Sequence, residues 1–220
     1  MKKILTLAAA LILAVLLPGT AGGCKDQESF SEKSYSCAGE DIESVNIDVR
    51  DSAVEIAPSE DGTLRLEYFE SESRAYEIAL TDGTLAVTLA ERDGLGGYFG
   101  VLPDAQYRRI RLFLPESALK ALAVSTTNED ITLAPLSCTD SVTLESNGGN
   151  IGFEGLFARE IGLTAKNGDI TGSIAGGWDD FSILCTVKKG ESNLPEQKEG
   201  GANALRVDCN NGDVAIDLKK

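Results

Sequence analysis

LTAKNGDITGSIA, residues 163–175, decides the fold. Leu163 and Ala165 alternate with polar neighbours, Asn167-Gly168-Asp169 breaks the run, and Ile170 and Ile174 resume it, so the stretch reads as strand, corner, strand. Asn and Gly tolerate the positive φ that such a corner needs, and the Asp side chain can cap its exposed amides. Four further stretches share the shape: VSTTNEDITLAPL (124–136), LESNGGNIGFEGL (144–156), ILCTVKKGESNLP (183–195) and VDCNNGDVAIDLK (207–219). Their glycines Gly149, Gly168, Gly190 and Gly212 are spaced 19, 22 and 22 residues apart. A step of that size, holding two strands and two turns, suits a β-solenoid, in which each coil buries its apolar side against the next. The corners Asn147, Gly148 and Asn150, Asn167, Gly168 and Asp169, and Asn211, Gly212 and Asp213 are expected to stack. Asp130, Asn150, Asp169, Glu191 and Asp213 then form a row along one edge.

Alternation extends upstream. Val45/Ile47/Val49, Val54/Ile56, Leu64/Leu66/Tyr68, Leu85/Val87/Leu89 and Ile110/Leu112/Leu114 repeat with period two, and Asp61-Gly62 and Asp82-Gly83 mark turns. Helical spacing is confined to Pro115–Leu122, which reads as a turn leading into a strand. The fold class is therefore all-β, a β-solenoid or β-helix-like stack of short strands with Asn-Gly-Asp corners. A Greek-key sandwich would allow the same strand lengths, but the repeat favours the solenoid.

The amino terminus has a separate function. Lys2 and Lys3 precede an uncharged apolar run, Ile4 to Leu17, too short for a comfortable membrane span of about 20 residues. Small residues follow, ending at Thr20-Ala21-Gly22-Gly23-Cys24, which resembles the lipobox of bacterial lipoproteins, with Ala21 where Leu is usual. Residues 1–23 are thus expected to be a lipoprotein signal peptide and Cys24 the lipidated residue, two acyl chains being enough for stable anchoring. The competing reading is ordinary cleavage after Ala21, with Cys24 a spare thiol. Residues 24–41, rich in Ser, Glu and Lys, are expected to form a flexible tether, and residues 42–220 the folded domain.

Composition removes whole classes of function. The chain of 220 residues contains no histidine, which excludes imidazole relays, His metal sites and His pH switches. Its formal charge of −15 becomes −17 once Lys2 and Lys3 leave with the signal, and no basic run offsets it, so nucleic acid is not an expected partner.

The pieces NIDVRDSAVEIAPSEDGTLRLEYFE (46–70), YEIALTDGTLAVTL (76–89) and RIRLFLP (109–115), with the serial NGDI-type corners and the closing VDCNNGDVAIDL, resemble the putative adhesin domain family of unknown function. That family occurs in many Gram-positive lipoproteins and envelope proteins and is similar to the head domain of autotransporter adhesins. The resemblance runs from about Ile42 to Leu218. It implies a β-solenoid ectodomain outside the cell and supplies no catalytic motif.

Candidate binding chemistry is sparse. Arg109 and Arg111 share one face of a strand; they either pair with neighbouring carboxylates, worth about 0–1 kcal/mol when exposed, or contact an anionic glycan. Glu91 to Ala105 places Tyr98 and Phe99 among glycines, as a lid over an open solenoid end or as a contact surface. The acidic row is read as structural rather than as a Ca²⁺ ladder, because one acid per coil is far sparser than calcium-binding nonapeptide rolls. Neither metal nor cofactor is expected. Cys37, Cys138, Cys185 and Cys209 allow one or two disulfides, yet the step aligns Cys185 with Val207 and leaves Cys209 a pleat away, so both read as reduced core residues.

The sequence therefore points to a non-catalytic, extracytoplasmic binding or scaffold domain. It would be held at the cell membrane through lipid on Cys24 and meet a cell-surface glycan or an envelope protein. A carbohydrate-active β-helix enzyme and an envelope-stress accessory or self-assembling structural protein are the alternatives.

Overall fold

The computed structural model describes residues 28–39, 42–91, 102–115 and 119–220. The first strands are β1 (Ser31–Ala38), β2 (Ser44–Asp48), β3 (Ala53–Pro58), β4 (Thr63–Glu70), β5 (Arg74–Thr81) and β6 (Thr84–Glu91). After a short 3-10 turn at Ala105–Tyr107 come β7 (Arg109–Leu114), β8 (Leu119–Thr126), β9 (Ile131–Leu133), β10 (Cys138–Ser146), β11 (Ile151–Leu156), β12 (Glu160–Ala165) and β13 (Ile170–Ala175). The last are β14 (Phe181–Val187), β15 (Gln197–Lys198), β16 (Asn203–Cys209) and β17 (Val214–Lys219). No helix among the described residues is long and apolar enough to cross a membrane.

The strands form two facing sheets. One is ordered β1-β4-β7-β3-β9-β11-β13-β17 and the other β15-β14-β16-β12-β10-β8-β2-β6-β5. From β7 to β17 in the first sheet, and from β6 to β14 in the second, every neighbour is parallel. Parallel pairing on both faces, with a tight corner carrying the chain from one sheet to the other, is the geometry of a flattened β-solenoid.

Period-two alternation becomes stacked columns of like side chains. Leu85, Val45, Leu122, Val142, Ile161, Leu205 and Ile183 run in register down the second sheet, with Val87, Ile47, Val124, Leu144, Leu163, Val207 and Cys185 one pleat on. Opposite them Ile110, Val54, Ile131, Ile151, Ile170 and Val214 line the first sheet. All are buried. Removing each such side chain from water contributes about 1.5–3 kcal/mol, which explains why the register is the one that stacks them. In the neighbouring column Phe153 lies beside Gly172, where a Cβ would stand 2.7 Å from the ring, so the glycine makes room for the phenyl group.

Two features differ from the sequence expectation. The coils do not stack in chain order: β16 lies between β12 and β14, and Gly190 meets Gly212, which meets Gly168. The segment 183–195 has an alternating run only in its first half. After the corner it makes a single bridge, Ser192 to Val214, before Pro195. It covers one sheet, whereas 207–219 supplies inward residues to both and takes the inner place. The second difference is in the tether, because Ser31–Ala38 is strand β1, antiparallel to β4 from Ser31 opposite Glu70 to Ala38 opposite Thr63. Tyr35 and Cys37 pack against the core, enough to hold an otherwise polar segment on the edge.

Both carboxy-terminal edges are blunted. β15 pairs antiparallel with β14. On β17 the Asn193 side chain takes the place of a strand: Nδ2 donates to the Ile216 carbonyl and Oδ1 accepts from the Ile216 amide, each at 3.0 Å. Occupied edge groups are unavailable to another chain's strand.

Candidate functional site

The corner edge comes directly from the stacking. Asn150 N–H donates to Asp130 Oδ1 (2.7 Å), Asp169 N–H to Asn150 Oδ1 (2.9 Å), Asp213 N–H to Asp169 Oδ1 (2.8 Å) and Glu191 N–H to Asp213 Oδ1 (2.8 Å). Each Asp or Asn thus caps an amide of the next corner. Beside this row, Asn167 Nδ2 donates to the Asn147 carbonyl and Asn211 Nδ2 reaches Asn167 Oδ1. Gly149, Gly168, Gly212 and Gly190 lie so close that a Cβ on any of them would stand 2.0–2.2 Å from backbone of the neighbouring corner. The corners lacking an Asn-Gly pair, 127–130 and 188–191, stack as well. Among the described residues no group of three His, Cys, Asp or Glu side chains is arranged to hold a metal ion.

Arg109 and Arg111 lie on the outward side of β7, alternating with buried Ile110 and Leu112. Arg111 Nε bonds Glu55 Oε2 at 3.0 Å and stands opposite Glu67. Further along, the Arg65 guanidinium sits 4.4 Å above the Phe113 ring. Arg109 forms no ion pair among the described residues. Cys24, Tyr98 and Phe99 lie outside the described residues.

Sequence reasoning missed a buried arginine. Arg74 of β5 is 8% exposed, and its Nη2 donates to the Arg50 and Asp51 carbonyls, each at 3.1 Å, and to Ser52 Oγ. Its Nε reaches the Tyr76 hydroxyl at 3.2 Å, and Thr126 Oγ1 donates to the Ser52 carbonyl at 2.8 Å. These groups close the β2–β3 corner, the amino-terminal end of the corner row, where Asp51 accepts from Asn128 Nδ2. The guanidinium supplies donors to the carbonyls of this corner, the Arg50 carbonyl also accepting from Ser52 Oγ at 3.2 Å. An arginine at the first position of a strand, after the polar run Glu70 to Ser73, gives no local signal of this long-range role.

Among the described residues, the two carboxyl groups with a distinct shift are both lowered. Glu28 is held below the usual carboxylate range, chiefly by the Ser71 and Ser73 hydroxyls, and Asp61 is lowered to about 2, chiefly by Thr63 and Ser59. A general acid needs the opposite shift. Burial pushes the Cys138 thiol up to about 12 and raises Cys209, and a thiol is nucleophilic only as thiolate. The buried thiols Cys138, Cys185 and Cys209 are in no disulfide, with Cys185 opposite Val207 and Cys209 opposite Val187. A shallow groove of about 450 Å³ carries Asp140, Arg159, Glu160 and Asn203, in which Arg159 pairs with Asp140.

A family model described as Toastrack DUF4097 matches residues 42–217. The chain belongs to that family. Among solved structures, it is similar to a "putative cell adhesion protein" from Clostridium sporogenes ATCC 15579, with 10% identity and a TM-score of 0.62 over 87% of this chain and 100% of that one. A "putative adhesin" from Bacteroides fragilis NCTC 9343 also matches, at 12% identity and a TM-score of 0.37, over 90% of this chain and 100% of that one. The first likeness shows a shared fold. No curated protein matches the chain.

Proposed function

We propose that this Toastrack domain is a non-catalytic, adhesin-like binding or scaffolding module, anchored through lipid on Cys24 to the outer side of the cell membrane. The observation that supports it best is how the solenoid uses its own polar groups. Corner carboxylates cap amides, Arg111 and Arg159 pair with Glu55 and Asp140, Arg74 closes a corner, and the shifted thiols and carboxyls move away from reactivity. What faces outward is two broad sheet surfaces of mixed small polar and charged side chains, among them Thr143, Glu145, Arg206 and Asp208, a surface for contact with an envelope protein or a cell-surface glycan. The fold shared with the "putative cell adhesion protein" agrees with this reading.

Two measurements test it. Intact mass of the membrane-extracted full chain should begin at a diacylated Cys24, and an unmodified Cys24 in that material rejects the anchor. Labelled soluble domain should bind isolated envelopes or a glycan array without altering the glycans, whereas release of cleaved sugar would favour the carbohydrate-active reading at the groove around Asp140 and Glu160.

A further inference from the structure

Glu28 pins the start of the described chain to the turn between β4 and β5. Its Oε1 accepts from Ser71 Oγ at 2.6 Å, from the Ser73 amide at 3.0 Å and from Ser73 Oγ. Two residues on, Phe30 stacks on Tyr107 with ring centroids 4.4 Å apart, and Tyr107 meets Phe69 edge-on at 5.5 Å. These three rings are half-buried. Phe69 follows buried Tyr68 in β4 and so points outward from the first sheet. The antiparallel register that places Glu67 opposite Arg111 brings Arg109 toward Phe69.

Only Lys25, Asp26 and Gln27 separate Glu28 from Cys24. Even fully extended, those links allow Cys24 no more than about 14 Å from Glu28. The first sheet of eight strands is roughly 34 Å across its seven spacings. A lipid on Cys24 therefore cannot lie beneath the far end of the solenoid. We infer that the corner formed by Phe30, Phe69, Tyr107 and Arg109, beside the β4–β5 turn, is the face that the domain lays against the lipid bilayer, with the β14 end directed away. This rests on lipidation of Cys24. Aromatic rings partition favourably into the headgroup layer, and a cation beside them meets lipid phosphates. Glu32, Glu70 and Glu72 nearby are anionic, so the acyl chains and the rings carry the contact, not net charge.

Trp178 is the chain's one tryptophan; it is 49% exposed and follows β13, at least five strand spacings, or about 24 Å, from β4. It serves as a built-in distal reporter. Full-length lipoprotein would be purified in detergent and reconstituted into phosphatidylcholine–phosphatidylglycerol vesicles containing lipids brominated near the glycerol backbone. Trp178 emission should be nearly unaffected by bromine. With Trp178→Phe as background, Phe69→Trp or, independently, Tyr107→Trp should be quenched several-fold more strongly than Trp178. Lipidated protein that floats with the vesicles while positions 69 and 107 stay as bright as Trp178 overturns the orientation alone. Protein that fails to float and whose mass shows no diacylglyceryl group overturns the anchor, and the orientation with it.

Discussion

Close approach rather than turn conformation gives Gly168 its importance. A Cβ there would lie 2.2 Å from the Gly149 carbonyl oxygen, and since both atoms belong to backbone fixed by stacking, neither can move without shifting a coil. Gly168→Ala should cost about 1–3 kcal/mol, the range of overpacking a fixed site. Gly152→Ala, where nothing lies within 4 Å of the added methyl, should be neutral or slightly stabilising. Urea unfolding of the two variants makes the comparison, and equal midpoints would disprove the clash. The Asx row makes a second prediction. Asp169→Ala removes the acceptor of the Asp213 amide and should cost about 1–3 kcal/mol, while Asp169→Asn keeps an oxygen in place and should recover most of the loss. If the charge rather than the acceptor mattered, Asn would behave like Ala.

Among the elements, β1 depends most on a single side chain outside it. Glu28 has its pKa lowered, chiefly by the Ser71 hydroxyl and then that of Ser73, so its ionised form is favoured by the fold. A depressed carboxyl contributes stability that is fully present above its unfolded value near 4.5 and is lost as pH falls through the lower folded value. Amide protection factors over 31–38 should therefore fall, relative to β10 and β12, as pH drops below about 4.5. Glu28→Gln should lower protection at neutral pH and remove that pH dependence. A wild-type profile in β1 that follows the core strands would show that Glu28 does not hold the strand. This element also marks the limit of what the chain reveals locally. Val45, Ile47, Val142, Leu144, Ile161 and Leu163 announce their strands and their inward face because apolar alternation is a local pattern. Residues 31–38 have only Tyr35 and Cys37 to offer, and Arg74 follows the polar run Glu70 to Ser73. Their places are set by partners roughly 20 to 40 positions away, Glu70 to Thr63 for β1 and the Arg50–Ser52 corner for Arg74, so no window of sequence contains the reason.

At the scale of the molecule the repeat tells how many coils there are but not how they are ordered. β2–β3 sits inside β6–β7, and β16 sits inside β14 while its partner β17 is the edge strand of the first sheet, so the first complete coil is interior and the last is covered on one sheet. Closing the stack this way covers end segments with later or earlier ones and leaves antiparallel pairs at the limits, β1–β4 and β5–β6 at one and β14–β15 at the other. The arrangement separates two deletions that a sequential solenoid would treat alike. Removing 203–220 takes away both strands that cover β12 and β13 and strips β14 of its partner, exposing Ile161, Leu163, Ile170 and Ile174 together. That variant should be insoluble or unfold without cooperativity. Replacing 178–200 by a short Gly-Ser linker removes only the outermost strand and its hairpin and lets β16 follow β13 as an ordinary next coil. It should stay folded with a single, lowered urea midpoint, the loss coming mainly from Phe181, Ile183 and Cys185. In a solenoid stacked in chain order the 178–200 deletion would be the more damaging of the two, because it would cut out an interior coil. The relative soluble yield and cooperativity of these two variants thus decide between inserted and sequential stacking.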